Sequence, residues 1–275
     1  GSYYVILPEK LKWLDINRYG LIAANLHLLV AIAPFLFISK CSNAFWQYNR
    51  ELFVRFATAF IYSNTIYIGV AIALAVTDHL FDFVKFDGSI YSQLWFAVIG
   101  LFNTWFFLKG VPQSILALED DKMYPKGLRI FTQFILIPLV VLYIFILYMY
   151  MGKIIAYWDL PRGWLSSFVL GVSILGIITL LLVHPLRHSE EHSWIRVYSR
   201  YFYLLLFPLI VLMVIAIGVR IADYGITEQR YFVLVFTVWL FMLALRFTWK
   251  PDTDIRTIPI TLFLLVLFFF KIFKH

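Results

Sequence analysis

Long apolar runs, separated by short polar segments, dominate the pattern of this chain. Eight such runs cover residues 19–39, 52–77, 91–109, 130–151, 164–183, 201–220, 231–248 and 256–273. About 20 mostly apolar residues form a helix that crosses roughly 30 Å of hydrocarbon. The runs are continuous, whereas strands of a membrane barrel would alternate apolar and polar positions. The pattern predicts an all-α membrane protein, a polytopic transmembrane helix bundle of about eight transmembrane helices.

Residues typical of helix ends lie between several of the runs. Gly225 can adopt the left-handed conformation that ends a helix, and Thr227 can then cap the next helix, with Glu228 near its positive end. We therefore expect a tight hairpin between the sixth and seventh helices. Asp159 and Pro161 are similarly predicted to form the cap and first turn of the fifth helix.

Prolines and small residues within the runs predict local features of the helices. Pro34, Pro138 and Pro208 fall inside the first, fourth and sixth runs, where each removes a backbone hydrogen bond and is expected to kink the helix. Ser167 and Gly171, four residues apart, are candidates for a close approach between helices.

Composition excludes a water-soluble globule and limits the partners. The 275 residues are 62% hydrophobic and 14% charged, with a mean hydropathy of +0.84. The net charge of +7 is spread between the apolar runs, which favours contact with membrane lipids and argues against nucleic acid. The single cysteine excludes an intrachain disulfide.

The beginning of the chain suggests a piece of a longer protein. It opens with Gly1 and Ser2 rather than with an initiator Met. We expect residues 1–275 to be a single transmembrane domain, with an N-terminal interfacial segment at 1–18 and the helix bundle at 19–273. Additional domains or protein partners are expected outside this fragment.

The distribution of basic residues gives a small bias in orientation. Thirteen of the 23 Lys and Arg belong to the side that carries the loops after the first, third, fifth and seventh helices. Positive loops usually face the cytoplasm. The bias favours both termini facing outward.

Three histidines form one candidate metal site. His184, His188 and His192 are spaced by four, so a continuous helix would place them on one face, where imidazoles can bind a metal. Pro185 interrupts the run, and the segment is hydrophilic. Interfacial, solvated histidines are the alternative interpretation.

An acidic run forms a second candidate. Glu119, Asp120 and Asp121 could hold Mg²⁺ for lipid-phosphate chemistry at the membrane surface, or they could be a solvated loop. The chain has no phosphate-binding GxxxxGK[ST] loop, GxSxG elbow, HExxH motif or dinucleotide fingerprint. No cofactor is predicted, and no residue is assigned a catalytic role.

Four segments resemble a known family. They are FWQYN at 45–49, FNTWFF at 102–107, YPKGL at 124–128 and YGITEQRY at 224–231. They resemble a bacterial family of polytopic membrane proteins catalogued only as a domain of unknown function. Gln229 stands where that family often has Asn, and the histidine cluster is not part of its pattern. The resemblance implies a multi-pass protein of the bacterial inner (cytoplasmic) membrane and supplies no activity.

Four polar residues in these segments are not explained by membrane anchoring. They are Asn49, Asn103, Glu228 and Arg230, and we take them as candidate functional residues. The sequence favours a non-enzymatic module that binds or moves a lipid or hydrophobic small molecule, or that transmits a signal. The alternative is a membrane-embedded enzyme that acts on lipids at the interface through the acidic run or the histidines.

Overall fold

The structure of the protein, a computed structural model, describes residues 13–38, 41–81, 87–112, 114–121, 123–157, 165–187 and 193–272. All regular structure in these ranges is helical. The predicted cap and first turn at Asp159 and Pro161 lie outside the described residues.

Eight helices follow one another along the described part of the chain. They are α1 Trp13–Ile32, α2 Ser42–Leu80, α3 Ser89–Lys109, α4 Lys126–Tyr157, α5 Leu165–Val183, α6 Ser193–Tyr224, α7 Glu228–Trp249 and α8 Thr257–Ile272. Both α3 and α4 contain a π-helical segment, at Phe96–Phe102 and Thr132–Leu136. Seven of the helices in the described ranges are long and apolar enough to cross a membrane, and α8 is shorter. The predicted polytopic helical bundle is confirmed.

Several helices are longer than the apolar runs that predict them. Helix α2 begins at Ser42 rather than at residue 52, and α6 begins at Ser193 rather than at residue 201. Hydropathy detects only the part of a helix that lies in hydrocarbon, whereas backbone hydrogen bonding continues the helix into the polar interface. Helix α1 is different, because it ends at Ile32 and Pro34 lies in a short 3₁₀ turn, Ala33–Phe35, that follows it.

The chain packs as two compact units. Residues 1–42 and 122–275 form the first, the six-helix unit, which contains α1 and α4 to α8; residues 43–121 form the second, the α2–α3 unit. Within the six-helix unit, α6 packs against α4, α5 and α7, while α8 packs against α1 and α7. Apolar side chains such as Val140, Val169, Leu206 and Leu240 are fully buried between these helices. Many other large apolar side chains are exposed, as lipid-facing surfaces require.

Among the described glycines of the six-helix unit, Gly176 has the closest neighbouring side chain. The ring of Phe202 on α6 lies directly against the position that a Cβ atom of Gly176 would occupy. Gly171, the glycine that the small-residue spacing suggested, has no such neighbour within 4 Å. Helix α5 therefore presents a different glycine to α6 from the one expected.

The hairpin between α6 and α7 has the predicted geometry. Gly225 has a φ of 74°, in the left-handed region, and its N–H donates to the carbonyl of Ile221 at 2.9 Å. The Thr227 hydroxyl accepts a hydrogen bond from the N–H of Arg230 at 3.5 Å and so caps α7. Glu228 lies in the first turn of that helix.

In the α2–α3 unit, aromatic and charged contacts join the two helices. The rings of Tyr62 and Phe106 meet edge to face at 5.4 Å. The Arg55 side chain covers Gly110 and pairs with Glu51 on its own helix at 3.1 Å.

Candidate functional site

A cavity of about 320 Å³ lies at one end of the six-helix unit. The last turn of α5, the first turns of α6 and the connection between α7 and α8 surround it. These are ends of helices that are long and apolar enough to cross a membrane. Its lining consists of Leu180, Leu181, His184, Arg187, Arg196, Ser199, Arg200, Tyr203, Phe247, Pro251, Asp252, Ile255 and Ile258.

One face of α6 supplies most of the polar lining. Arg196, Ser199, Arg200 and Tyr203 follow the spacing i, i+3, i+4 and i+7, so they share one face of the helix. Arg196 and Arg200, nearer the start of α6, are exposed and form the mouth of the cavity, whereas Tyr203, further along the helix, is only 4% exposed. The face therefore changes from cationic at the mouth to aromatic at the base.

The remaining wall of the cavity is mostly apolar. Leu180 and Leu181 come from α5, Phe247 from α7 and Ile258 from α8. The Tyr203 ring stacks on Phe247, with ring centroids 4.9 Å apart and an angle of 19° between the planes. The stack forms a rigid base. The cavity is amphipathic, because exposed arginine side chains lie at its mouth and apolar side chains line its interior.

Basic side chains outnumber acidic ones among the described residues that line the cavity. The Arg187 guanidinium lies 4.0 Å from a carboxylate oxygen of Asp252 and donates to the carbonyl of Pro251 at 3.3 Å. Burial lowers the pKa of Arg187, and the nearby Asp252, Tyr203 and Asp254 oppose this effect. Of the described residues that line the cavity, three are arginines, Arg187, Arg196 and Arg200, and one is acidic, Asp252.

Two hydroxyl groups that line the cavity have no hydrogen-bond partner among the described residues. They are the Tyr203 hydroxyl and the Ser199 Oγ, both inaccessible at the atom itself. A buried polar group without a hydrogen bond costs about 1–3 kcal/mol.

A neighbouring network holds the start of α8. The Arg256 guanidinium donates to the carbonyls of Phe35 and Ile38 and contacts the Cys41 sulfur at 3.1 Å, and it pairs with Asp254 at 2.6 Å. Burial acts to raise the pKa of the Asp254 carboxyl. The hydrogen bonds and charge of Arg256, with a smaller contribution from His184, outweigh burial and lower that pKa.

Only one of the three predicted metal-binding histidines can be placed. Helix α5 ends at Val183, and His184 lies in a 3₁₀ turn that lines the cavity, with its Nε2 3.3 Å from the Ser42 hydroxyl. His188 and His192 lie outside the described residues. Within the ranges that are described, no three His, Cys, Asp or Glu side chains form a metal-binding group. The metal site stays a prediction.

The acidic run is tied to the start of α2 in the α2–α3 unit. A carboxylate oxygen of Glu119 accepts a hydrogen bond from the N–H of Ala44 at 2.6 Å and so caps the positive end of the helix. The Asn43 amide donates to the carbonyls of Glu119 and Asp121 at 2.8 and 2.7 Å. The Asp121 carboxylate lies 3.7 Å from Arg50. These contacts give the run a structural role.

The other four candidates are divided between the units. Asn49 donates to the carbonyl of Phe45 on its own helix at 2.9 Å, and the Asn103 Oδ1 is buried without a hydrogen-bond partner among the described residues. Arg230 donates to the carbonyl of Gly225 at 2.6 Å, which supports the hairpin. Glu228 begins α7. None of the four lines the cavity.

Four residues that line the cavity are not among the candidates predicted from the sequence, namely Arg196, Ser199, Arg200 and Tyr203. Their spacing is a visible signal, because two arginines four residues apart with a serine and a tyrosine on the same face form an amphipathic stripe. The apolar run begins only at residue 201, so hydropathy does not extend the predicted helix over residues 193–200. Arg187 and Asp252 belong to other segments, and no local pattern joins them to that stripe.

The fold and the amphipathic cavity define a polytopic α-helical membrane protein built from apolar helices. The chain belongs to the family described as a domain of unknown function, DUF4153, whose model matches residues 5–273. The predicted family resemblance is thus confirmed.

A relative from Pasteurella multocida (strain Pm70), described as uncharacterized protein PM1469, is 27% identical over 198 residues. The match covers 70% of this chain and 33% of the relative, so the chain corresponds to about a third of that protein's length. No solved structure matches the chain.

Proposed function

We propose that this chain is a non-enzymatic module of the bacterial inner membrane that binds a membrane amphiphile in the cavity of the six-helix unit. The single observation that carries the proposal is the amphipathic lining. Cationic side chains stand at the mouth and apolar side chains form the interior. An amphiphile at the membrane interface has the same two parts in the same order.

The position of the cavity supports access from the bilayer. The α5 and α6 ends that surround it are next to lipid-facing surface, as the exposed side chains of Leu204 and Tyr201 on α6 indicate. A lipid can therefore reach the cavity sideways without crossing water. The volume of about 320 Å³ is sufficient for a headgroup with the first part of a chain.

The inner-membrane location is supported by two observations. Seven helices in the described residues suit a bilayer, and the relative from Pasteurella multocida is a bacterial protein. The cavity lies on the side of the helices that carries more Lys and Arg, and we assign that side to the cytoplasm. Separation of inner and outer membranes, followed by detection of the protein, tests this location.

Binding is tested by photocrosslinking in membranes. A lipid with a diazirine near the headgroup end of its chain is added to membranes that contain the protein, and crosslinked peptides are identified by mass spectrometry. We expect crosslinks to residues of the cavity wall. The Leu181→Trp variant fills the wall with a larger side chain and is expected to lower crosslinking at least fivefold.

The matched control is Leu204→Trp, the same substitution at a lipid-facing position of α6 that is 49% exposed. It leaves the cavity unchanged, so crosslinking to the cavity wall is expected to equal that of the unmodified protein. Equal crosslinking in the Leu181→Trp and Leu204→Trp variants would contradict binding in the cavity.

A further inference from the structure

Pro208 divides α6 into two halves near the middle of the helix. Proline has no N–H to donate to the carbonyl one turn earlier, here that of Leu204, and its ring pushes against that carbonyl, so helices bend at such positions. The residues that α6 supplies to the cavity of the candidate site all belong to the half before Pro208; they are Arg196, Ser199, Arg200 and Tyr203. A change in the bend therefore moves these four side chains together.

A side chain of α4 is bonded to α6 beside this bend. The Tyr148 hydroxyl donates a hydrogen bond to the carbonyl of Leu205 at 2.9 Å. Leu205 lies in the turn that immediately precedes Pro208. In a membrane, neighbouring helices commonly supply hydrogen bonds to backbone groups near a proline. The bond ties the first half of α6, residues 193–207, to α4 at the bend.

Two further cavities lie between α4 and α6, one on each side of this hydrogen bond. The first, the α4-side cavity, has a volume of about 270 Å³ and lies between residues 137–144 of α4 and 194–205 of α6. The second has a volume of about 350 Å³ and lies between residues 151–155 and 208–215. Closely packed helices resist movement, whereas α4 and α6 leave space along their contact. The Tyr148 bond joins the two helices between these loosely packed regions.

The first half of α6 has a cavity on two sides. Arg200 and Tyr203 line the candidate site, whereas Tyr201 and Phe202 line the α4-side cavity. The Phe202 ring lies directly against Gly176 of α5, so movement of α6 towards α5 is blocked. Movement towards α4 has space available, and it separates the polar face of α6 from the opposite wall of the candidate site.

We propose that the first half of α6 swings about Pro208 to open and close the cavity of the candidate site, and that the Tyr148 hydroxyl holds the closed position. This inference rests on the proposed function, because it concerns how a ligand enters that cavity. A change of about 10° in the bend moves the start of α6 by about 3 Å, since a helix rises about 1.5 Å per residue.

The experiment measures how often the cavity wall is exposed. Leu180 lines the cavity and is 9% exposed, so a cysteine in its place, Leu180→Cys, reports opening by its reaction with N-ethylmaleimide. Membranes that contain the protein are treated with this reagent, and the labelled peptide is quantified by mass spectrometry over time. Tyr148→Phe removes the hydroxyl and is expected to raise the labelling rate at position 180 about fivefold, the effect of one ordinary hydrogen bond on an equilibrium.

Two controls separate the hinge from a general loss of packing. Tyr150→Phe removes the same hydroxyl from another tyrosine of α4, which is 38% exposed, and is expected to leave the labelling rate unchanged. Val169→Cys places the cysteine at a fully buried position of α5 that does not line the cavity. Tyr148→Phe is expected to leave labelling at position 169 unchanged.

Pro208→Ala tests the position of the hinge. It restores the N–H that proline lacks, so α6 is expected to be stiffer there and labelling at position 180 to be slow. In this background, Tyr148→Phe is expected to have little effect on labelling. A fivefold effect that persists without Pro208 would show that the movement occurs elsewhere.

The other outcomes separate this inference from the proposed function. If Tyr148→Phe leaves labelling at position 180 unchanged, or raises it equally at position 169, the hinge inference is wrong. Lipid crosslinking to the cavity wall that is lost in Leu181→Trp would still support the proposed function in that case. If labelling responds as expected but no lipid crosslinks to the wall, the hinge stands and the proposed function fails.

Discussion

The guanidinium of Arg256 donates a hydrogen bond to the carbonyl of Ile38 at 2.6 Å, although the two residues are 218 positions apart. The same nitrogen donates to the carbonyl of Phe35 at 3.0 Å. The start of α8 is thus attached to the backbone that follows α1. Because the Arg256 side chain is only 14% exposed, loss of its bonds leaves the two carbonyls poorly satisfied.

Arg256→Gln is therefore expected to destabilise the protein by about 2 kcal/mol, since a short amide cannot reach all of these acceptors. The measurement is thermal unfolding in detergent. Arg246→Gln, at an exposed position, is expected to change the melting temperature little. Equal melting temperatures for the two variants would show that the Arg256 bonds do not stabilise the fold.

The lowered pKa of Asp254 predicts a pH dependence of stability. Burial alone would raise this pKa, but the hydrogen bonds and charge of Arg256 lower it in the folded chain. The stabilisation is fully present above the ordinary Asp pKa of about 3.9 and is lost as the pH falls through the lowered value. Asp254→Asn is expected to melt at a lower temperature than the unmodified chain at pH 6, with a difference that shrinks towards pH 3.

The control for this prediction places Asp254→Asn in the Arg256→Gln background. Without the guanidinium, the interactions that lower the pKa of Asp254 are weaker, while burial still acts to raise it, so the difference should shrink less towards pH 3 than it does in the Arg256-containing chain. A difference that stays the same from pH 6 to pH 3 in the Arg256-containing chain would rule out the proposed ionic origin.

The left-handed conformation of Gly225 predicts that a methyl group added at this position destabilises the hairpin. Gly225 has a φ of 74°, which costs a residue with a Cβ atom about 1 kcal/mol or more. Gly225→Ala is expected to lower stability by about this amount, as measured by thermal unfolding. Gly218→Ala, within the preceding helix α6, is the control, since its added Cβ meets nothing within 4 Å. If both variants lost the same stability, backbone strain at Gly225 would not be the cause.

Local signals were sufficient to predict the helices and the α6–α7 hairpin. A run of apolar residues must cross the bilayer as a helix, and Gly225 with Thr227 carries the information for the turn within a few positions. These features depend on residues close together in the chain and on the length of each apolar run, and both can be read directly from the sequence.

The cavity could not be predicted in the same way. Arg196 and Arg200 lie on a part of α6 that is too polar for hydropathy to recognise as helix. Their position beside Arg187 and Asp252 depends on how α5, α6 and the α7–α8 connection pack, which is a long-range property. The rotation of α5 about its own axis also depends on packing against distant parts of the chain. That rotation places Gly176, rather than Gly171, against Phe202.

The contact between Gly176 and Phe202 gives a last prediction, on packing. A Cβ atom at position 176 would overlap the Phe202 ring, which is 1% exposed. Gly176→Ala is expected to cost about 1–3 kcal/mol in thermal unfolding, as overpacked cores do. Gly171→Ala on the same helix should be neutral, and Phe202→Leu combined with Gly176→Ala should recover part of the loss. A neutral Gly176→Ala variant would mean that α5 and α6 are less closely packed there.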